Sequence, residues 1–379
     1  MAIVFNEQLS GNAILPIFNN QIVRFETDNS VPAEFAEIQI GSNIVRLFPN
    51  PSGQFYYNFS EIVKSIMNST NFADNIDFDI DSVGYVYVWT FNTYWSAFIQ
   101  YKIVLEDTNE EFDTNNYTFL LASFQLEDFK KRYPLFLNKD NTLMFSPFIK
   151  DNNQKAYVRY WEGYPFDITV HVSSNSSTLK MTNKTNLLDY DFLTPSNVLR
   201  IAFSDGRITQ TIDDVLSIQY GYNEMELEAD NTIFYFDLIK EENTCGTYLK
   251  FRNSLGGWNY WLFPKGHRNR ITRDIGELEN DYYSLEQTIS PSVQIGKNSS
   301  DTITVTTDIL NENDMLIMEE LIDSPKVYLF TGIPLSKCNS NDWLEISLRT
   351  TDFRISNAKN VLNRFNFQFD LPRRTTLTL

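Results

Sequence analysis

The chain is 379 residues long, 42% hydrophobic and 15% aromatic, with a formal net charge of −18. Global disorder is excluded, because that much apolar material supports packed cores. The acidic balance disfavours broad binding to nucleic acid or anionic membranes, though it leaves room for a local basic patch.

In chain order, strand signals dominate. The start, MAIVFNEQLSGNAILP, lacks the basic and long apolar segments of a secretory leader, which points to synthesis and assembly in a cytoplasm. AEIQIGSNIVRLFP reads as two short strands about a Gly41-Ser42-Asn43 turn. QFYYNF follows the turn-forming run Pro49-Asn50-Pro51-Ser52-Gly53. EIVKSIM is a short helix with Ile62, Val63 and Ile66 on one face and Ser60 as its expected cap. GYVYVWTFNTYW and AFIQYKIVLE are β-branched and aromatic, as strands prefer. Residues 1–107 are therefore expected to form an N-terminal β-sandwich, and the polar DTNEEFDTNN opens an expected linker or extended segment, residues 108–152.

Strand signals resume in AYVRYWEGYPFDITVHV, VLRIAFS, DVLSIQYGY and MELEADNTIFYFDLI, with Asp230-Asn231 as a turn. They predict a middle β-sandwich over 153–242. The last region, 243–379, is expected to be an α+β domain. Its helix, NENDMLIMEELIDSP, has Asn311 as N-cap, Met315, Met318, Leu321 and Ile322 at helical spacing, and Pro325 as its stop. KVYLF, DWLEISL and NRFNFQFDL read as three more strands, the last alternating Phe365, Phe367 and Phe369. The expected fold class is mainly β and multidomain: Ig-like or jelly-roll-like β-sandwiches, a few short helices, and a C-terminal sheet covered by one helix.

Chemistry is sparse. The two histidines, His171 and His267, lie far apart, and His171 sits in an alternating strand run. No nucleophile elbow, phosphate-binding loop or dinucleotide fingerprint is present. Cys245 and Cys338 make no disulfide framework, and their pairing is not legible from spacing. With the two histidines they lack the close paired spacings of a zinc site. Asp77, Asp79 and Asp81 alternate acids, but without the glycine and terminal Glu of a calcium-binding loop. No catalytic residue, metal or cofactor is assigned. No stretch approaches the roughly 18 apolar residues of a membrane span.

The least ordinary stretch is CGTYLKFRNSLGGWNYWLF, Cys245 to Phe263. Gly256 and Gly257 supply a turn or bulge. In a regular strand Trp258 and Tyr260 share one face, while Asn259 and Trp261 share the other. One aromatic set can fill a core and the other can meet a neighbour. Immediately downstream, Lys265, Arg268, Arg270 and Arg273 sit without an acid among them, and Arg373 and Arg374 lie near the end. A basic region in an acidic chain suits contact between copies, basic face to acidic face. The candidate assembly interface is therefore Trp258, Tyr260, Trp261, Arg268, Arg270, Arg273, Arg373 and Arg374.

Several motifs, in one order, resemble virion structural proteins of tailed bacteriophages infecting Bacteroidetes, of the tail or baseplate type. They are MAIVFNEQ, then IVRLFPNPSGQFYYNFSEIVKSIM, then EDFKKRYPLFLNKDNTLMFSPF. AYVRYWEGYPFDITVHV, CGTYLKFRNSLGGWNYWLF and ENDMLIMEELIDSPKVYLF follow. The stretch 173–235 matches nothing in that pattern. The resemblance implies a non-enzymatic subunit of the tail, baseplate or neck, assembled in the host cytoplasm and located in the virion. Its implied partners are copies of itself, in a ring, and other tail proteins, with no nucleic acid and no membrane. The alternative is a receptor- or carbohydrate-binding adhesin that meets host surface glycan.

Overall fold

The computed structural model describes residues 3–28, 33–68, 71–88, 96–105, 110–114, 116–125, 133–146, 155–173, 177–194, 196–279, 292–349 and 364–377. Packing divides the chain into two compact units: Met1–Asn243 with Arg252–Asn259 and Ile333–Ser340, and Thr244–Phe251 with Tyr260–Gly332 and Asn341–Leu379.

The first unit begins with β1 (Ile3–Glu7), β2 (Ile14–Pro16), β3 (Ile22–Thr27), β4 (Ala36–Ile40), β5 (Asn43–Leu47), β6 (Phe55–Asn58), α1 (Ser60–Met67), α2 (Ile80–Val83), β7 (Val86–Val88), β8 (Ser96–Ile99), β9 (Lys102–Leu105), β10 (Glu110–Asp113) and β11 (Tyr117–Leu120). It continues with α3 (Tyr133–Phe136), β12 (Leu143–Met144), β13 (Lys155–Trp161), β14 (Pro165–His171), β15 (Thr178–Asn183), β16 (Leu188–Leu193), β17 (Val198–Asp205), α4 (Ile212–Val215), β18 (Gly221–Ala229) and β19 (Thr232–Glu241). These strands form five sheets, ordered β1-β3-β6, β10-β9-β4-β5, β2-β11-β8, β12-β14-β17-β7 and β13-β19-β18-β15-β16. The chain is thus mainly β and built of several sheets, as its alternation predicts.

Local chemistry explains most elements. Gly41 takes a left-handed φ of 57° and turns β4 into β5. Asp230 and Asn231, at φ 46° and 64°, close the β18–β19 hairpin, a conformation Asx residues tolerate. Alternation in β4 buries Ala36, Ile38 and Ile40. They join a core in which Phe25 and Phe55 stack at 5.1 Å.

Four expectations need revision. Ser60 is the first residue of α1 and does not cap it; its hydroxyl donates to Ile17 O at 2.7 Å. Asn58 Oδ1 instead accepts from the Ser60 amide at 3.1 Å. The segment 108–152 supplies strands β10, β11 and β12, because its apolar run Tyr117–Leu121 is buried. DVLSIQYGY starts as helix α4, whose first turn is closed by Asp214 Oδ2 accepting from the Thr211 amide at 3.4 Å. Finally, β7 pairs with β17, so a strand expected in the N-terminal sandwich completes a sheet of the middle region. Residues 89–95 of that aromatic run lie outside the described residues.

Arg200, on β17, is fully buried and shared by two buried carboxylates. Its guanidinium donates bidentately to Asp167 of β14 (2.9 and 2.6 Å) and singly to Asp74 (2.8 Å). Phe78 stacks against the guanidinium at 4.8 Å. His171 is also fully buried, with Nδ1 donating to Asn141 O at 3.2 Å. Burial pushes its pKa down to about 4, against the smaller upward pull of that carbonyl and of Asp140.

The second unit contains β20 (Thr247–Arg252), β21 (Trp258–Phe263), β22 (Lys265–Glu279), β23 (Ser292–Thr306), α5 (Glu312–Ile322), β24 (Val327–Phe330), β25 (Trp343–Leu348) and β26 (Asn366–Asp370). They form one seven-stranded sheet, β21-β20-β24-β25-β26-β23-β22, although the hairpin tip Arg252–Asn259 groups with the first unit. Asn311 caps α5 in a capping box with Asp314, and Ile317, Met318 and Leu321 are buried. Phe367 and Phe369 are buried on β26, as their alternation predicts.

Two outcomes follow. Arg200→Met strands two buried carboxylates and should cost about 3–5 kcal/mol in denaturant unfolding, whereas Arg46→Ala, which removes an exposed Arg46–Glu37 pair, should cost under about 1 kcal/mol. For His171, the folded pKa near 4 lies below the unfolded value near 6.5, so the unfolded chain binds more protons between them. Stability from keeping His171 neutral is full above pH ~6.5 and falls as pH drops towards 4, by about 3 kcal/mol in all. Denaturation midpoints of wild type and His171→Gln from pH 7 to 4 should diverge by roughly that slope.

Candidate functional site

The hairpin β20–β21 turns on backbone chemistry. The Asn253 amide donates to Gly257 O (2.9 Å), the Gly256 amide to Asn253 O (3.1 Å), and the Gly257 amide to Asn253 Oδ1 (2.8 Å). Asn253 Nδ2 in turn donates to Phe145 O and to Asn259 Oδ1, both at 3.0 Å. Gly256 has φ 89°, and a Cβ there would lie 2.7 Å from Leu121 O. A Cβ on Gly257 would overlap Phe145 O. The two glycines are thus required by a left-handed turn and by backbone running against backbone.

Every residue of β21 is buried, including Trp258, Tyr260 and Trp261. Both faces of this strand are internal, so neither aromatic set is presented to a neighbour. Tyr260 stacks on Tyr248 at 5.9 Å and meets Trp343 edge-on at 6.2 Å. The basic residues of β20 are internal too. Lys250 Nζ lies over Trp343 (4.3 Å) and Tyr328 (5.0 Å), and the Arg252 guanidinium over Phe72 (5.3 Å) and Trp258 (5.7 Å). The aromatic-basic signature is a set of buried cation–π contacts.

The arginines of the candidate interface lie elsewhere, at the surface. Arg268, Arg270 and Arg273 are on β22, which is exposed along nearly its whole length. Its partner β23 is covered by β26 only from Thr302 to Thr306. Past Asp301 the ribbon has no third strand among the described residues, although Leu371 donates its amide to Asp301 O at 3.0 Å, and Thr376 Oγ1 donates to Lys297 O. The tail carrying Arg373 and Arg374 therefore follows β23. Asp301 collects the charge: Arg270 donates to it at 2.7 and 3.0 Å, and Arg374 comes within 3.8 Å. The Arg270 hydrogen bond, reinforced by Arg374 and Arg268, holds the Asp301 carboxyl below the usual carboxylate range. The structure thus brings Arg268, Arg270 and Arg374 to one anion and leaves Arg273 without an ion pair among the described residues. Asp301 was not singled out in the sequence; its opposition to Arg270 is visible only once the strands are in register.

Other acidic clusters are internally neutralised. Lys337 meets Asp79 (2.6 Å) and Asp81 (3.3 Å), Arg207 meets Asp81 (3.0 Å), and Asp77 accepts the Ser340 amide (3.1 Å). The alternating acids thus take cationic side chains and an amide. Lys240, nearly buried, meets Asp213 (2.7 Å) and Glu162 (3.3 Å). Burial raises the Asp213 pKa, opposed by the Lys240 hydrogen bond. Cys245, exposed, and Cys338, buried, are not joined in a disulfide, and among the described residues no cluster of His, Cys, Asp and Glu is arranged to hold a metal.

No protein-family model matches this chain. No curated protein matches it either. Similar solved structures include domains A168–A170 of titin, at 10% identity and TM-score 0.26, covering 81% of this chain and 92% of that one. The teleost fish polymeric Ig receptor ectodomain gives 7% identity and TM-score 0.22, covering 64% and 100%. The fibronectin(III)-like modules of Clostridium thermocellum CbhA give 7% identity and TM-score 0.18, covering 64% and 95%. At these TM-scores the superpositions carry no argument about function, and the architecture rests on the chain's own sheets.

Gly257→Ala must move backbone at Phe145 and should cost at least about 2 kcal/mol in thermal or chemical unfolding. Gly41→Ala, strained by its φ of 57° but with open space around it, should cost only about 1 kcal/mol.

Proposed function

We propose that this chain is a non-enzymatic structural subunit of a tailed-phage virion, placed in the tail, baseplate or neck and assembled in the bacterial cytoplasm by contacts with copies of itself and with other tail proteins. The observation that carries the assembly part is the β22–β23 ribbon. Each of its strands is 15 residues long, and it ends the sheet with β22, an outer strand exposed along nearly its whole length that pairs with no other described strand. Such an edge is a template for a second chain. The virion part rests on the ordered motif resemblance. Within that reading, the buried Cys245-to-Phe263 signature maintains the scaffold, and the exposed basic ribbon is the part available to neighbours.

A second reading, a carbohydrate-binding adhesin, is favoured by one feature of the middle sheet. Tyr222 (53% exposed) and Tyr235 (39% exposed) stand on one face of β18–β19, beside Glu224 and Asp237. Exposed tyrosine rings suit stacking on a sugar ring; Asp237 is buried and taken by Tyr222 and Lys155, which leaves Glu224, itself 3.3 Å from Lys155, as the carboxylate at the surface.

Light scattering of the purified chain, followed by negative-stain imaging of the same fraction, separates the two. A ring or other defined multimer is the expected outcome. A monomer at every concentration that also binds host surface glycan, and loses that binding on Tyr222→Ala with Tyr235→Ala, would replace the assembly reading with the adhesin.

A further inference from the structure

The charges along β22 are ordered. Lys265, His267, Arg268, Arg270 and Arg273 fill its first nine residues, and Asp274, Glu277 and Glu279 its last six. All but one residue of the strand are exposed, and no described strand lies on its outer side. Its register with β23 is the same before and after the irregularity at Gly276, so the strand keeps a continuous outer edge.

From this order we infer that β22 pairs antiparallel with β22 of a second copy of the chain, about a two-fold axis at Thr272, joining two seven-stranded sheets through their ribbons. In this register Lys265 stands opposite Glu279 of the other copy, His267 opposite Glu277, and Arg270 opposite Asp274, each pair occurring twice by symmetry. Residues directly opposite in an antiparallel pair share a face, so each pair is within reach of an ionic contact. No like charges face each other: Arg268 meets Gly276 and Arg273 meets Ile271. Ile271, 47% exposed in one copy, and Arg273 each lie diagonally across the axis from their own counterparts, so one apolar diagonal offsets one like-charge diagonal.

Neighbouring two-fold registers are worse. Centring on Arg273 opposes that residue with itself. Centring on Ile271 keeps only the opposed pairs Lys265–Glu277 and Arg268–Asp274. The Thr272 register also engages all 15 residues of the strand. The partner is thus specified by charge as another β22, and the contact is isologous. Arg270 already binds Asp301 through Nε and Nη2, leaving Nη1 for Asp274 of the other copy. Lys265, Arg273, Asp274 and Glu279 have no ion-pair partner among the described residues, so the pairing breaks no existing bond of theirs.

This contact deepens the assembly reading and rests on it. Its test is a charge exchange in the full chain, followed by light scattering and sedimentation. One variant carries Glu277→Lys with Glu279→Lys, making β22 basic at both ends. The other carries Lys265→Glu with His267→Glu, making it acidic at both ends. All four positions are exposed, and thermal melts verify that both variants fold. Wild type is expected as a dimer or a multimer of dimers. Each variant alone should lose self-association by about 100-fold, because like charges then stand opposite one another. An equimolar mixture should recover the wild-type mass, because the basic strand pairs with the acidic one. If both variants keep the wild-type mass, this contact is wrong and the assembly reading stands on another surface. If wild type is monomeric at all concentrations, this contact and self-assembly of the isolated chain are both overturned.

Discussion

Arg200 carries a full charge with no exposed surface, and much of the first unit is arranged around that fact. Taking a guanidinium out of water is costly unless carboxylates and hydrogen bonds replace the lost hydration. Asp167 supplies one bidentate partner from the adjacent strand β14. Asp74 accepts a further hydrogen bond, through Oδ1, from far upstream in the chain. The segment carrying Asp74 is therefore held at β17, and Phe78 covers the guanidinium. A few residues later β7 pairs with β17 on the side away from β14. The ion pair and the strand pairing enforce each other. Either one alone would leave a charge or a sheet edge unsatisfied.

The same residue types do opposite work elsewhere. Lys250 and Arg252 are buried, with aromatic faces in place of water. A few residues downstream, Arg268, Arg270 and Arg273 stand in solvent. Sequence shows both sets as basic residues near aromatics. Position in the sheet separates them. The β20–β21 hairpin lies at one end of the seven-stranded order and has both of its faces covered, while β22 lies at the other end and has neither.

Legibility in the sequence followed how local the physics is. The Gly41 and Asp230-Asn231 turns, the Asn311 cap and the Phe367–Phe369 alternation are decided by neighbours in sequence, and each was readable. The recruitment of β7 to β17 and of β11 to β2 depends on partners distant in sequence, so no local signal marks it. Helix α4 reads as strand because Val215, Leu216 and Ile218 fit one, and the Thr211 amide to Asp214 bond that closes its first turn involves only those two residues. At the candidate site, alternation divides the aromatics of β21 between two faces but does not say that both faces are covered. The length of β22 was missed for the opposite reason. It buries nothing, so it lacks the apolar alternation by which strands are recognised.

An exposed strand edge of that length is a hazard, and natural sheets blunt such edges with charge. Charge of one sign would repel every other copy of β22. Charge scattered at random would permit several registers and no preference among them. Basic residues followed by acidic ones do something different: they repel the parallel self-alignment, in which like ends meet, and favour the antiparallel one. A two-fold contact of this kind consumes both edges at once and cannot propagate into a fibre. It also cannot close a ring of more than two copies by itself. Any larger closed assembly of this chain must therefore use a second surface, distinct from β22, and the ribbon then joins the resulting units in pairs.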